Sequence, residues 1–409
     1  MNKKVLSILI ISIFIVINIG AIFTPAKTIN STKEIKKFNL PKYVPGEVIV
    51  TFKQNLAKSQ TKQILNQNKE TISFVLKDKL NIATVNIEPG KELSFCKTLK
   101  NNENIKSAQP NYISIIHRVP NDQKYNEQYG PQLIRCEDGW SETTGSRNVK
   151  IAILDTGVDY NHEDLSADCI DGYDFVDVNI NDYIGPLEGG GELTKHPGED
   201  YKNRDDDPMD VHGHGTHCAG IAGAVTNNNK GISGVSWNCK IMPLRVGFAV
   251  DLIHYSNIIT YGFLSDEDVI DAIDYAIQNQ VDVISMSFGG SIESEAVKDA
   301  CNRAWNAGII LCASSGNSNK AVSGYPARYE NVISVGAVDQ NRDKCEFSNY
   351  GSGLSIMAPG SNILSTLPNN KYGLMSGTSM ACPHVAGVAA LAFSRYTNKD
   401  NVWIRDKIE

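Results

Sequence analysis

From Val149 onward the chain repeats one pattern: a short unbroken apolar run, a turn, then an amphipathic helix. Val149–Leu154 is a β-branched run with no polar alternation, and similar runs occur at Lys240–Val246, Val281–Ser287, Ile309–Ala313 and Val332–Val338. Runs of this kind are buried on both faces, as the strands of a parallel sheet are. Between them, Val269, Ile270, Ile273, Ala276 and Ile277 make one helical stripe, and Ala296, Val297, Ala300, Cys301 and Ala304 another. Ser265 with Asp268 three residues on reads as a capping box for the first helix, and Gly308 ends the second. The pattern predicts an α/β domain of three layers, a mostly parallel sheet with helices on both faces. Sites in such sheets form at the carboxyl ends of the strands.

The first 118 residues have a different character. Lys3 and Lys4, an apolar run from Val5 to Phe23 and Thr24-Pro25-Ala26 read as a secretory signal at 1–26. No later apolar run is long enough to cross a bilayer, so no membrane span is expected after signal removal. Residues 27–118 are polar and lysine-rich. Val48–Phe52, Ile82–Ile87 and Tyr112–Ile116 read as strands, and Ser59–Asn68 as a weak helix. A second helix places Leu93, Cys96 and Leu99 on one face, giving a small α+β module.

Charge separates the two regions. Residues 1–118 hold 18 Lys+Arg against 7 Asp+Glu, net +11; residues 119–409 hold 21 against 39, net -18. A basic module attracts an acidic domain, which suits an intramolecular lid, although charging each part for solubility alone would give the same balance. The whole chain, at -7, offers no footprint for nucleic acid. Nine cysteines show no spacing that dictates pairing.

Three short motifs fall where strand-end chemistry is expected. Asp155-Thr156-Gly157 follows the first buried run. His212-Gly213-His214-Gly215-Thr216-His217 opens an Ala/Gly-rich helix; without an intervening Glu, and with His214 and His217 only three apart, it suits zinc poorly. Gly377-Thr378-Ser379-Met380-Ala381 leads into an apolar helix, with Pro383 read as lying in about its first turn. Together they supply what acyl transfer needs: an attacking serine, a histidine to take its proton and an aspartate to fix the imidazole. Asn317 in Ser315-Gly316-Asn317, past the run at Ile309–Ala313, supplies a side-chain amide for an oxyanion.

With these residues in view, the chain resembles the subtilisin family, most of all its thermitase-type members. The segments that carry the resemblance are 151–159, 212–225, 284–290, 314–317, 324–329 and 377–391. The order Asp, His, Ser is the subtilisin order. The resemblance implies a subtilisin-like fold at 119–409 and a serine endopeptidase. Asp155 would be the orienting acid, His214 the general base, Ser379 the nucleophile and Asn317 the oxyanion donor. Ser287, Phe288 and Gly289 would pair with extended protein or peptide substrates. With Ala313, Ser314, Ser315 and Gly324 they would wall a pocket whose small, uncharged lining favours a large apolar residue before the cut. Residues 27–118 would be a propeptide that aids folding and inhibits its own enzyme, released by self-cleavage within Ser114–Val119.

The resemblance also implies structural Ca²⁺. Asp122, Asp164, the carbonyls of Val225, Lys230 and Ile232 and the side chain of Asn228 would form one site of hard oxygen ligands. Asp174, Asp177 and Asp205, the last opening Asp205-Asp206-Asp207, suggest a second. The enzyme is expected to be secreted and monomeric. Three departures stand out. Val178–Asn203 reads as an exposed inserted loop near the cleft, and Gly247–Phe263 as an insertion whose Tyr255, Tyr261 and Phe263 shape more distant subsites. The family usually continues some tens of residues past Glu409, so either a final helix and strand lie outside this sequence or the domain manages without them. Cys218 and Cys382 are expected to be buried packing residues.

Overall fold

A computed structural model describes residues 42–54, 56–65, 73–77, 80–113, 118–188, 190–255 and 257–409. The expected signal at 1–26 lies outside the described residues, as does most of the expected cleavage segment. The chain divides into two compact units, 1–114 and 115–409.

The first unit runs β1 (Tyr43–Phe52), α1 (Lys58–Leu65), β2 (Ser73–Lys77), β3 (Ile82–Asn86), α2 (Glu92–Leu99) and β4 (Ile105–Tyr112). The strands form an antiparallel sheet in the order β2-β3-β1-β4. Alternate residues Val48, Val50, Phe52, Ala83 and Val85 face Ile64, Leu65, Phe95 and Leu99 of the helices. The buried stripe of α2 is turned from the expected one: Phe95 and Leu99 enter the core, while Leu93 is exposed. The last described strand of this unit is Ile105–Tyr112, and most of the strand expected at Tyr112–Ile116 lies outside the described residues.

The second unit opens with two short helices, α3 (Tyr129–Leu133) and α4 (Cys136–Glu142). It continues through β5 (Lys150–Asp155), β6 (Tyr173–Asp174), β7 (Gly185–Pro186), β8 (Glu192–Lys195), α5 (His214–Gly223) and β9 (Lys240–Arg245). Next come β10 (Gly247–His254), β11 (Asn257–Leu264), α6 (Asp266–Gln278), β12 (Val283–Met286), α7 (Glu295–Asn306), β13 (Ile310–Ser314) and β14 (Val332–Val338). It ends with β15 (Ile356–Pro359), β16 (Ile363–Leu367), β17 (Lys371–Met375), α8 (Thr378–Arg395) and α9 (Asn401–Ile408).

Seven strands form a parallel sheet in the order β15-β14-β13-β12-β5-β9-β6. Side-chain alternation divides each central strand between two cores. In β5, Ile151 and Ile153 meet α5, α8 and α9, while Ala152 and Leu154 meet α6 and α7. The three predicted layers follow from that division. Ser265 accepts a hydrogen bond from the Asp268 amide, so the predicted cap of α6 forms.

The two insertions depart from expectation. They combine into one antiparallel sheet in the order β11-β10-β8-β7, with its own core of Val178, Ile180, Leu193, Tyr201, Phe248, Val250 and Leu252. The first is therefore no simple exposed loop: its apolar residues pack against the second, which lies further along the chain beyond α5 and β9. Tyr261 and Phe263 pack on this core, while Tyr255 is exposed.

Candidate active site

Asp155 ends β5 beside Arg245 at the end of β9. The next turn folds back on α5, and its closeness depends on glycine. A Cβ on Gly215 would lie 2.1 Å from the Gly157 carbonyl oxygen and 2.9 Å from Asp155 Cβ. This approach lets His214, the first residue of α5, reach the strand end. Its Nδ1 lies 2.7 Å from Asp155 Oδ1. Asp155 also accepts from the Thr156 amide at 2.8 Å.

The two groups perturb each other in opposite senses. Burial alone would lower the His214 pKa, but the Asp155 charge and hydrogen bond outweigh it and hold the ring above the usual imidazole range. Burial alone would raise Asp155; His214 and the Thr156 amide instead hold it below the usual carboxylate range. Cys218 Sγ lies 4.0 Å from His214 Nδ1, and burial raises its pKa, so it stays a thiol. Cys218 and Cys382 are both fully buried, as expected of packing residues, and all nine cysteines are free.

A residue not foreseen from the motifs holds the turn before His214. Asp210, buried, accepts from the Gly213 and Thr216 amides at 2.9 Å, from Thr216 Oγ1 at 2.6 Å and from Thr156 Oγ1 at 3.0 Å. It caps the first turn of α5 and ties that turn to the strand end carrying Asp155. A carboxylate shortly before a helix-opening Gly is the sequence signal that could have found it. His217 leaves this centre: its Nε2 lies 3.0 Å from the Ile363 carbonyl and 3.1 Å from that of Gly373. Burial lowers its pKa to about 4, so it stays neutral.

Ser379 is the second residue of α8. Pro383 is the sixth, deeper than the first turn expected for it. Without an N–H it leaves the Ser379 carbonyl without a helical donor. Ser287 Oγ donates to that carbonyl at 2.8 Å and Cys218 Sγ at 3.5 Å. The break in the ladder thus ties Ser379 to the end of β12 and to the turn of α5 after His214. Asn317 Oδ1 accepts from the Thr378 amide and from Thr378 Oγ1, each at 2.9 Å. This bond pair fixes the Asn317 amide, whose Nδ2 would lie 3.4 Å from a Cβ on Gly377.

The expected pocket walls knit together. Ser314 Oγ donates to the Phe288 carbonyl at 3.2 Å, and the Gly324 amide to that of Ser315 at 2.9 Å. Gly290 and Tyr325 exchange backbone bonds, while Gly289 and Gly324 give the two chains room. Ser287, Ala313, Ser314 and Ser315 are buried; Phe288 and Gly324 are partly open and Gly289 is exposed.

The residues expected to hold calcium also gather. The 225–232 loop wraps Asp164, which accepts from the Ile232 amide and from Asn228 Nδ2, each at 2.7 Å. Asp164's own carbonyl accepts from the Val225 amide at 2.7 Å, and Lys230 donates its amide to Asn228 Oδ1 at 2.7 Å. Asp122 accepts from the amides of Asn227 and Asn228. Burial raises both carboxylates, and Asp164 further raises Asp122. The two buried carboxylates are met here by N–H donors of the 225–232 loop, and a hard divalent cation would relieve the repulsion between them. The second set does not fit one. Asp174 pairs with the buried Arg245, which also binds Glu199 from the first insertion; Asp177 pairs with Lys202 at 3.5 Å; Asp205 accepts from the Asp207 amide. A guanidinium already supplies the positive charge at Asp174.

Fold and motif geometry together define a serine peptidase of the subtilisin type, and comparison with known proteins agrees. Residues 146–409 match the subtilase family, peptidase S8, and residues 30–111 match the fervidolysin N-terminal prodomain. The chain belongs to the subtilase family. It is 39% identical over 389 residues to the thermophilic serine proteinase of Bacillus sp. strain AK1, covering 93% of this chain and 86% of that one. It is 40% identical over 285 residues to thermitase of Thermoactinomyces vulgaris, covering 69% and 88%. A solved protease of Pseudoalteromonas arctica superposes with a TM-score of 0.58 at 30% identity, covering 71% of this chain and 91% of that one.

Proposed function

We propose that this chain is a secreted, self-processing serine endopeptidase that works through Asp155, His214 and Ser379. The observation that carries the reading is the 2.7 Å Asp155–His214 bond next to a Ser379 tied to both β12 and α5. His214 Nδ1–H donates to Asp155, which leaves Nε2 unprotonated to take the Ser379 proton. Ser379 Oγ then attacks the peptide carbonyl. Asn317 Nδ2 and the Ser379 amide receive the oxyanion. His214 passes its proton to the leaving amine, and water hydrolyses the acyl-enzyme by the same steps.

The small, uncharged walls at Ser287–Gly289, Ala313–Ser315 and Gly324 favour a large apolar residue before the cut. Residues 1–26 act as export signal, 27–118 as propeptide and inhibitor, and 119–409 as peptidase, working as a monomer. Asp122, Asp164 and Asn228, with the carbonyls of Val225, Lys230 and Ile232, would hold Ca²⁺, which would neutralise two buried carboxylates and stiffen the 225–232 loop. The test compares the parent with Ser379→Ala. The parent is expected to process itself between Ser114 and Val119 and to react with a serine-directed phosphonate, while the variant does neither. A parent that stays full length and unlabelled would overturn the reading.

A further inference from the structure

The sheet built by the insertions has two faces. One covers its own core; the other looks toward the candidate active site. Cβ atoms on Gly247 and Gly262 would lie 3.4 and 3.1 Å from Thr156 Cγ2, and the Gly262 one also 3.9 Å from His212 Nε2. One step outward on this face, Asp251 pairs with Thr260, and Thr260 Oγ1 donates to Asp251 Oδ1 at 2.8 Å. His196 lies 2.9 Å from the same oxygen. Another step outward, about 7 Å on, Ile253 pairs with Ile258. These two are 38% and 65% exposed, and Tyr255 in the turn is 90% exposed. Eight residues of β11, Asn257–Leu264, carry no charge, although edge strands are commonly protected by charges.

We infer that Ile253, Ile258 and Tyr255 form an apolar exosite that grips polypeptide substrates beside the catalytic cleft. The occupant is an extended or unfolded protein segment with apolar side chains. It is favoured because the patch continues the sheet face that abuts Thr156 and His212, two residues from the candidate base. The hairpin is held rigidly there by its own core and by Glu199, which binds both Arg245 and the Ala249 amide. Short peptides that end near the scissile bond would not reach the patch. This inference rests on the peptidase reading above.

The test is I253S/I258S in the full chain, with Ile292→Ser, an 83% exposed residue in the turn before α7, as control. Both are assayed on a tetrapeptide anilide and on unfolded casein. For I253S/I258S, KM for casein is expected to rise about tenfold with kcat unchanged, while kcat/KM for the anilide stays within twofold. The control should match the parent on both. Equal losses on the two substrates, or no loss on casein, would overturn the exosite. So would sedimentation showing a dimer that the double variant dissolves, because a second copy would then be the occupant. A parent inactive on both substrates would instead overturn the peptidase reading.

Discussion

At the residue scale, the proposed mechanism makes the Asp155–His214 pair set the pH response. A base that must be neutral to accept a proton, with its pKa held up by Asp155, works best on the alkaline side. The rise of kcat/KM with pH is therefore expected to have its midpoint above the ordinary histidine value. Asp155→Asn should move that midpoint down and cut kcat by about 10⁴-fold; a pH–rate profile of both proteins checks this. Asn317→Ala should cost about 10²–10³-fold in kcat with little change in KM, a magnitude established in subtilisin itself. Asp210 is a positioning residue with four hydrogen bonds. Asp210→Ala should lower both kcat and melting temperature, whereas Asp210→Asn, keeping part of the cap, should recover most of the stability.

At the scale of elements, α8 shows how a helix defect serves a site. Pro383 frees the Ser379 carbonyl, and Ser287 and Cys218 take it up. Ser287→Ala would leave that buried acceptor with only the weak thiol donor. The expected cost is about 1 kcal/mol, or roughly 2–4 °C in melting temperature, measurable by calorimetry on the Ser379→Ala background, where self-digestion cannot interfere. The inserted sheet shows the same economy. Its Glu199 crosses to the buried Arg245 at the end of β9 and neutralises a charge that Asp174 shares.

At the scale of the whole molecule, the 225–232 loop joins Asp122, near the start of the second unit, to Asp164 after β5. If calcium balances these buried carboxylates, chelation should lower the melting temperature of the mature enzyme. A ligand at a hundredfold its Kd adds about 2.7 kcal/mol. The Asp164→Asn variant should lose most of that calcium dependence. Thermal scans with and without chelator check both expectations, and unchanged melting would remove the ion from the account.

The sequence by itself determined the layers and the family. Continuous apolar runs can only be buried on both faces, so β5, β9, β12, β13 and β14 were legible, as was the Ser265 cap of α6. The motifs at Asp155, His214, Asn317 and Ser379 stand out because they sit at strand ends and helix starts, and the roles proposed for them rest on that placement. The buried face of α2 was read in the wrong phase, since Leu93 and Phe95 are both apolar and only the sheet beneath chooses between them. Tertiary structure alone decided what distant segments do together. Val178–Asn203 looks like a polar loop until Phe248 and Val250 supply the other half of its core. Asp174 looks like a calcium ligand until Arg245 and Glu199 arrive beside it. Asp210 and Ser287 gain their roles only from partners brought by folding, and local sequence carries no record of those partners because hydrogen bonding and burial depend on distance in space.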